Sequence, residues 1–280
     1  MPVWRLMAST AFALAAFAGN SLLCRIALRH GGTDAASFTL IRLLSGALCL
    51  ALLVRRRGGA VQAQGSWVSA LALFAYAAAF SWAYGSLGAG TGALLLFGAV
   101  QASMVVYSLW QGERLSGFQT VGWVAALAGL GGLLLPGWSA PPWRGSLLML
   151  AAGLAWAVYT VRGRGLGDPL QVTAGNFARA LVPALAGLAL AWTGARLDAS
   201  GLTCAVASGA LASGLGYAVW YTVLPRLRVS TAATLQLGVP VIAAFGGWAW
   251  LGEPLSWRLM LASGVILGGI ALVVLGPKRA

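Results

Sequence analysis

Gly112-Glu113-Arg114-Leu115-Ser116 leads into an apolar segment that ends at Leu135, and Gly252-Glu253-Pro254-Leu255-Ser256 leads into another that ends at Leu275. The two heads stand 140 residues apart and share the pattern Gly-Glu-x-Leu-Ser. Behind them Leu127 aligns with Leu267, Gly129 with Gly269 and Leu135 with Leu275. Each segment starts at a short polar turn and closes one half of the chain. The sequence therefore reads as a duplicated membrane-spanning unit.

Composition agrees. The 280 residues are 60% hydrophobic and only 8% charged, and mean hydropathy is +0.85. Soluble domains carry about 25% charged residues. So much apolar surface has no single aqueous core to enter, and the expected class is a polytopic membrane protein. A net charge of +13 would point to nucleic acid in a soluble protein. Here the basic residues punctuate apolar runs, so membrane orientation is the simpler cause and no nucleic-acid partner is expected. Cys24, Cys49 and Cys204 lie in or beside apolar runs without CxxC spacing, which indicates neither a disulfide framework nor a metal site. Arg5 followed by an Ala-rich run resembles a signal peptide. The duplication argues for keeping that segment as a span.

Ten apolar runs of roughly bilayer-crossing length can be drawn. The first half gives Leu6–Leu28, Ala35–Val54, Trp67–Ser86, Thr91–Trp110 and Phe118–Leu135. The second gives Ser146–Val161, Val172–Thr193, Leu202–Leu224, Thr231–Leu251 and Trp257–Leu275. The sixth is short unless Trp143 and Arg162 flank it. The Pro-, Gly- and Trp-rich connection from Pro136 to Gly145 reads as the linker, so the halves are residues 1–137 and 138–280. Further correspondences place Thr91 on Thr231, Leu95 on Leu235 and Gly98 on Gly238, and at a slightly shorter offset Arg25 on Arg162 and Arg42 on Arg179. Five spans per half is odd, so the second half must enter from the opposite side. The expected fold is all-α, ten transmembrane helices as two inverted five-helix repeats, a design typical of secondary transporters.

Charge sets the orientation. With both termini in the cytoplasm, the inner segments hold Arg5, Arg55, Arg56, Arg57, Arg114, Arg162, Arg164, Arg226, Arg228, Lys278 and Arg279. The outer segments hold only Arg25, Arg29, Arg144, Arg196 and Arg258. This bias follows the positive-inside rule and fits a multi-pass protein of a bacterial inner membrane.

Ten spans in two inverted halves, Arg42 early in the second span, and Gly-Glu-x-Leu heading the fifth and tenth resemble the drug/metabolite transporter superfamily. Within it the EamA-type exporters are most similar. The stretch from Pro240-Val241-Ile242-Ala243-Ala244 through Leu251-Gly252-Glu253-Pro254-Leu255 looks like their most recognisable segment. The first half departs from it, with Val100 where Pro240 sits. Bacterial aromatic amino-acid exporters of this superfamily are similar in length and aromatic richness. The resemblance implies a cavity enclosed by spans one to four and six to nine, with five and ten as outer scaffold.

An ionisable group inside a span is costly and functional by default. The five acids, Asp34, Glu113, Asp168, Asp198 and Glu253, all fall in loops or at span ends. The mid-span carboxylate on which small multidrug relatives depend is missing, so facilitated diffusion or exchange is expected rather than carboxylate-based proton coupling. Glu113 and Glu253 are expected to cap the apolar runs that follow them. Arg42 and Arg179, the basic residues inside spans, could attract a substrate carboxylate or phosphate. They could equally serve as scaffold by snorkelling or by binding neighbouring carbonyls, and the resemblance at Arg42 leans to scaffold.

Tyr76, Phe80 and Tyr84 share one face of the third span, and Tyr217, Trp220 and Tyr221 cluster on the eighth. Trp156 and Tyr159 lie on the sixth. Trp4, Trp67, Trp138, Trp143 and Trp257 sit near span ends, as interfacial aromatics do. Polar uncharged residues cluster too: Asn20 and Ser21, Asn176, Thr231 and Thr234, and Gln101 with Ser108 and Gln111 beside Phe97 and Met104. The expected substrate cavity is thus Asn20, Tyr76, Phe80, Phe97, Gln101, Trp156, Tyr159, Tyr217, Trp220, Thr234 and Gly238. Amides, hydroxyls and aromatic faces suit a small amphipathic zwitterion. Pro183 and Pro240 fall mid-span as hinges. Gly264-x-x-x-Gly268 could pack helices within the bundle or form a dimer face.

These readings converge on a secondary transporter exporting small metabolites, most concretely amino acids, with a multidrug, nucleobase or sugar exporter as runner-up. His30 sits in a loop, and no Ser-His pair, acid pair or metal-ligand cluster lies at one depth, so an enzyme is not expected. A non-transporting membrane interaction protein is the alternative of another class. No cofactor is expected. The partners are a small-molecule substrate and the bilayer, with oligomeric state open and a monomer sufficient.

Overall fold

The computed structural model describes residues 2–59, 64–112, 114–137, 140–163, 167–223, 226–227 and 235–276. Among these, regular structure is helical. The helices are α1 (Val3–Leu28), α2 (Ala35–Arg56), α3 (Trp67–Tyr84), α4 (Ala89–Trp110), α5 (Gly117–Leu134), α6 (Trp143–Arg162), α7 (Pro169–Leu190), α8 (Ala199–Val223), α9 (Gly238–Leu251) and α10 (Trp257–Leu275). All but α9 are long and apolar enough to cross a membrane. Residues 231–234, where its expected span begins, lie outside the described set. Trp143 and Arg162 do belong to α6, which gives that helix its spanning length.

Short polar caps punctuate the apolar runs. Asp34, Ser66, Ser116, Asp168, Asp198 and Ser256 each accept from first-turn amides of the helix they precede. Backbone N–H groups at a helix start have no intrahelical acceptor, so such caps set where each helix begins. The repeated head now reads residue by residue. Gly112 and Gly252 take left-handed φ values of 88° and 66°, which end the preceding helices at no steric cost. Ser116 and Ser256 cap α5 and α10.

Glu253 corrects its expectation. It caps not α10 but the start of α4, where its Oε2 accepts from the Ala89 amide at 2.7 Å. Its Oε1 pairs with Arg25 Nε at 2.8 Å. Glu113 lies outside the described residues.

Early helices pack mostly against late ones. α1 lies on α8 and α9, while α3 and α4 lie on α6; α2 lies on α7 and α8, and α3 also on α7; α4 meets α9, and α5 meets α10. Gly122 and Gly269 let the last pair touch: a methyl on Gly122 would stand 2.5 Å from the Gly269 carbonyl oxygen, and one on Gly269 would stand 2.5 Å from the Gly122 carbonyl oxygen. Gly264 and Gly268 are instead exposed on α10 with no neighbour, so they do not pack the bundle. α5 and α10 are also the least buried spans, and the main core lies among the others.

Two proline expectations separate. Pro183 sits inside α7. Pro240 falls in the first turn of α9 rather than mid-helix, where its missing N–H breaks no intrahelical bond.

Candidate functional site

Asp34 starts α2 by accepting from the Ala36 and Ser37 amides at 2.9 Å each. Two turns further on, α2 carries Arg42 inward. The Arg42 side chain is 2% exposed. Its Cζ lies 5.2 Å from the Tyr76 ring centre and 5.0 Å from that of Phe80, within cation–π range. Both rings come from one face of α3. Arg42 Nη2 donates to the Tyr76 hydroxyl at 3.1 Å. Its Nε and Nη1 are buried and find no acceptor among the described residues.

Asn20 on α1 donates to the same Tyr76 oxygen at 3.4 Å. Its own Oδ1 accepts from Ser208 at 2.5 Å. Ser208 opens a π-helical stretch, Ser208–Leu215, inside α8. Such stretches are rare and gather at functional positions. Gly209 lets this stretch lie directly on the α2 backbone, where a methyl group would strike the Arg42 carbonyl and Ser45. Ser213, farther along the stretch, is a buried hydroxyl with no partner among the described residues.

Aromatic rings continue the wall from Tyr76. Trp156 of α6 lies 4.7 Å from Tyr76 and 5.4 Å from Tyr217 of α8, and stacks on Tyr159 at 5.4 Å. Tyr217 meets Phe177 of α7 and Phe17 of α1. Phe17 then bridges to Trp220 at 5.8 Å. Edge-to-face and offset ring pairs hold such walls beyond simple area burial.

The structure therefore gathers Asn20, Tyr76, Phe80, Trp156, Tyr159 and Tyr217 around Arg42. Trp220 belongs to a second buried cluster with Leu14, Ala93 and Val239, joined to the first through Phe17 and Phe97. Gln101 on α4 is half-buried. Gly238 heads α9, with no atom of the described residues within 4 Å of where a side chain would begin. Thr234 lies outside the described residues. Phe17, Phe177 and Ser208 were not expected; Phe17 stands one turn from Asn20 and Ser21 on the same face, which is the signal that could have found it.

Arg179 does not share the Arg42 environment. Its Nη1 donates to the Gln64 and Gly175 carbonyls at 2.9 and 3.0 Å, and neighbouring Asn176 accepts from the Ser66 amide at 2.9 Å. Together they fasten the start of α3 to α7. At the other end of the bundle, Thr33 donates to Asp198 at 2.8 Å and the Arg196 amide donates to Asp34 at 2.7 Å. Partial burial pushes the Asp34 carboxyl up, but bonds from the Ser37 hydroxyl and from the Arg196, Ser37 and Ala36 amides outweigh it and hold the group below its ordinary range. The Thr33 hydroxyl, then the Gly201 amide, lower Asp198 likewise.

A bundle of apolar helices closed around a buried polar and aromatic centre is the build of a multi-pass membrane protein. Residues 143–275 match the profile of the EamA-like transporter family. A protein of Pseudomonas aeruginosa described only as uncharacterized is 58% identical over 99% of this chain and 97% of its own length. A protein of Streptantibioticus cattleyicolor named "Probable terminal-alkyne amino-acid exporter" is 26% identical over 91% of this chain and 89% of its own. The threonine/homoserine exporter RhtA of Escherichia coli is 33% identical over 44% of this chain and 42% of its own. A crystal structure shares the fold at TM-score 0.64, with 21% identity over 95% of this chain and 98% of that one. Residues 143–275 thus carry the EamA-like transporter domain, and the chain is similar to relatives named as amino-acid exporters.

Proposed function

We propose that this protein exports small metabolites, amino acids with apolar or aromatic side chains first among them, by alternating access of two inverted five-helix halves. The observation that carries the proposal is the Arg42 centre: α1, α2 and α3 of residues 1–137 and α6, α7 and α8 of residues 138–280 all contribute to it. Substrate sites of inverted-repeat transporters lie at such repeat interfaces. The packing supports a two-fold relation between the halves, because exchanging α1–α5 with α6–α10 maps each of the main contacts onto itself or onto another main contact. The names of the relatives support amino acids, and the ring wall supports an aromatic or apolar side chain. A buried guanidinium disfavours cationic drugs, which ranks the multidrug reading second. Every acid among the described residues caps a helix start, which supports facilitated diffusion or exchange. The arginine distribution supports cytoplasmic termini.

Purified protein in liposomes, loaded with radiolabelled amino acids, nucleobases, sugars or cationic drugs in turn, tests the reading. Counterflow of amino acids is expected. Flux of drugs alone would reassign the protein to multidrug export, and no flux of any compound would remove the transporter reading.

A further inference from the structure

We infer that Arg42 is the binding site for a substrate carboxylate, and that the substrate is a monocarboxylate whose apolar or aromatic tail lies against Tyr76, Trp156 and Tyr217. The inference rests on the transporter reading above and adds the chemistry of its site.

The centre is rich in donors and short of acceptors. Arg42 Nη2 and the Asn20 amide both donate to one phenol oxygen, that of Tyr76. Ser208 uses the Asn20 carbonyl oxygen. Arg42 Nε and Nη1 are left with no acceptor among the described residues, although the side chain is only 2% exposed. The described acids are all occupied at helix starts, so none neutralises this guanidinium. A cation buried without a counter-ion is costly, and leaving its N–H groups unbonded adds to that cost. Rings below and beside it offset only a part. Arg179, its counterpart in the repeat, shows what a scaffold arginine does here: it reaches backbone carbonyls. Arg42 does not.

A carboxylate supplies what is missing. Two oxygens at the terminal Nη1–Nη2 edge match the planar guanidinium fork, and they bring the compensating charge. Phosphate would match the fork as well, but it brings further charge and further oxygens against a wall made mostly of ring faces. The apolar rings instead favour a ligand with one charged end.

The test compares L-phenylalanine, 3-phenylpropanoate and L-phenylalaninamide, which share a ring and differ in the carboxylate. Binding is read by isothermal titration calorimetry, with counterflow measured separately. The two carboxylates are expected to bind about 100-fold more tightly than the amide. Arg42→Gln should abolish that preference, and Arg42→Lys should retain a part of it. Equal binding of amide and acids by the native protein overturns the inference, as does no binding of any of the three, or an unchanged preference in Arg42→Gln. If Arg42→Gln does not fold, the ligand comparison on the native protein decides alone. Carboxylate-selective binding without counterflow would keep the site and reject export. Counterflow of amino acids indifferent to Arg42→Gln would keep export and reject the site.

Discussion

Arg25 and Glu253 meet at 2.8 Å, 228 residues apart in sequence, and this pair closes one end of the bundle. Arg25 also donates to the Tyr84 and Gly85 carbonyls at the end of α3. Glu253 takes the Ala89 amide at the start of α4. Four helices, α1, α3, α4 and α9, are thereby tied by one ion pair. Both side chains are under one-fifth exposed, so water screens them little.

Glu253 does two things, and substitutions should separate them. Glu253→Gln keeps an acceptor for the Ala89 amide but loses the charge; Glu253→Ala loses both. Roughly 1–3 kcal/mol of stability is expected to go with Glu253→Ala, and a smaller loss with Glu253→Gln. Thermal unfolding in detergent measures the order. A double exchange, Arg25→Glu with Glu253→Arg, should recover less than half, because an arginine opposes the positive start of α4. Full recovery would show that the cap contributes nothing.

Acid should loosen the end of the bundle where Asp34 and Asp198 tie the α1–α2 turn to the α7–α8 turn. Both carboxyls are held below their ordinary value of 3.8 in the folded chain. A depressed value stabilises the fold at every pH above 3.8 and loses that contribution as pH falls through the folded values. Melting temperature should stay level in this respect from neutral pH to about 5 and fall below about 4. Asp34→Asn with Asp198→Asn should flatten that fall; an unchanged fall would place the acid sensitivity elsewhere.

The α5–α10 seam is expected to tolerate no side chain. Gly269→Leu drives a branched chain into the Gly122 carbonyl and the Ala126 backbone, at an expected cost of about 1–3 kcal/mol. Gly264→Leu, on the exposed face of the same helix, should stay within about 0.5 kcal/mol of the native protein. Equal melting temperatures for the two variants would contradict the seam.

Trp156 and Trp257 offer a functional contrast. Trp156 touches Tyr76, Tyr159 and Tyr217, whereas Trp257 is 69% exposed at the start of α10. Trp156→Ala should lower counterflow by about tenfold or more, and Trp257→Ala by less than about twofold. Equal losses would move the substrate away from the ring wall.

The positions of most spans and the burial of the central aromatics were legible because they rest on local pattern: apolar length and four-residue spacing. What stayed hidden was long-range. Glu253 stands three residues before Ser256, so nothing nearby reveals that its carboxylate belongs to α4. Arg42 and Arg179 hold matching sequence positions, and folding brings an aromatic pair beside one and the Gln64 and Gly175 carbonyls beside the other. Gly264-x-x-x-Gly268 looks like a packing motif, yet the single Gly269 next to it faces α5. Residues 208–215 are small and apolar, and their composition does not distinguish a π from an α turn.

That π stretch has a consequence for direction. Ser208 and Tyr217 are nine residues apart. On a regular α-helix that separation is about two and a half turns, so the two side chains would leave the axis on opposite sides. Wider π turns use up residues without adding the same rotation. They bring the serine that meets Asn20 and the tyrosine that meets Trp156 into one angular phase. A helix of uninterrupted α geometry could serve the hydroxyl or the ring, but not both; α8 serves both because its winding is out of step with its length.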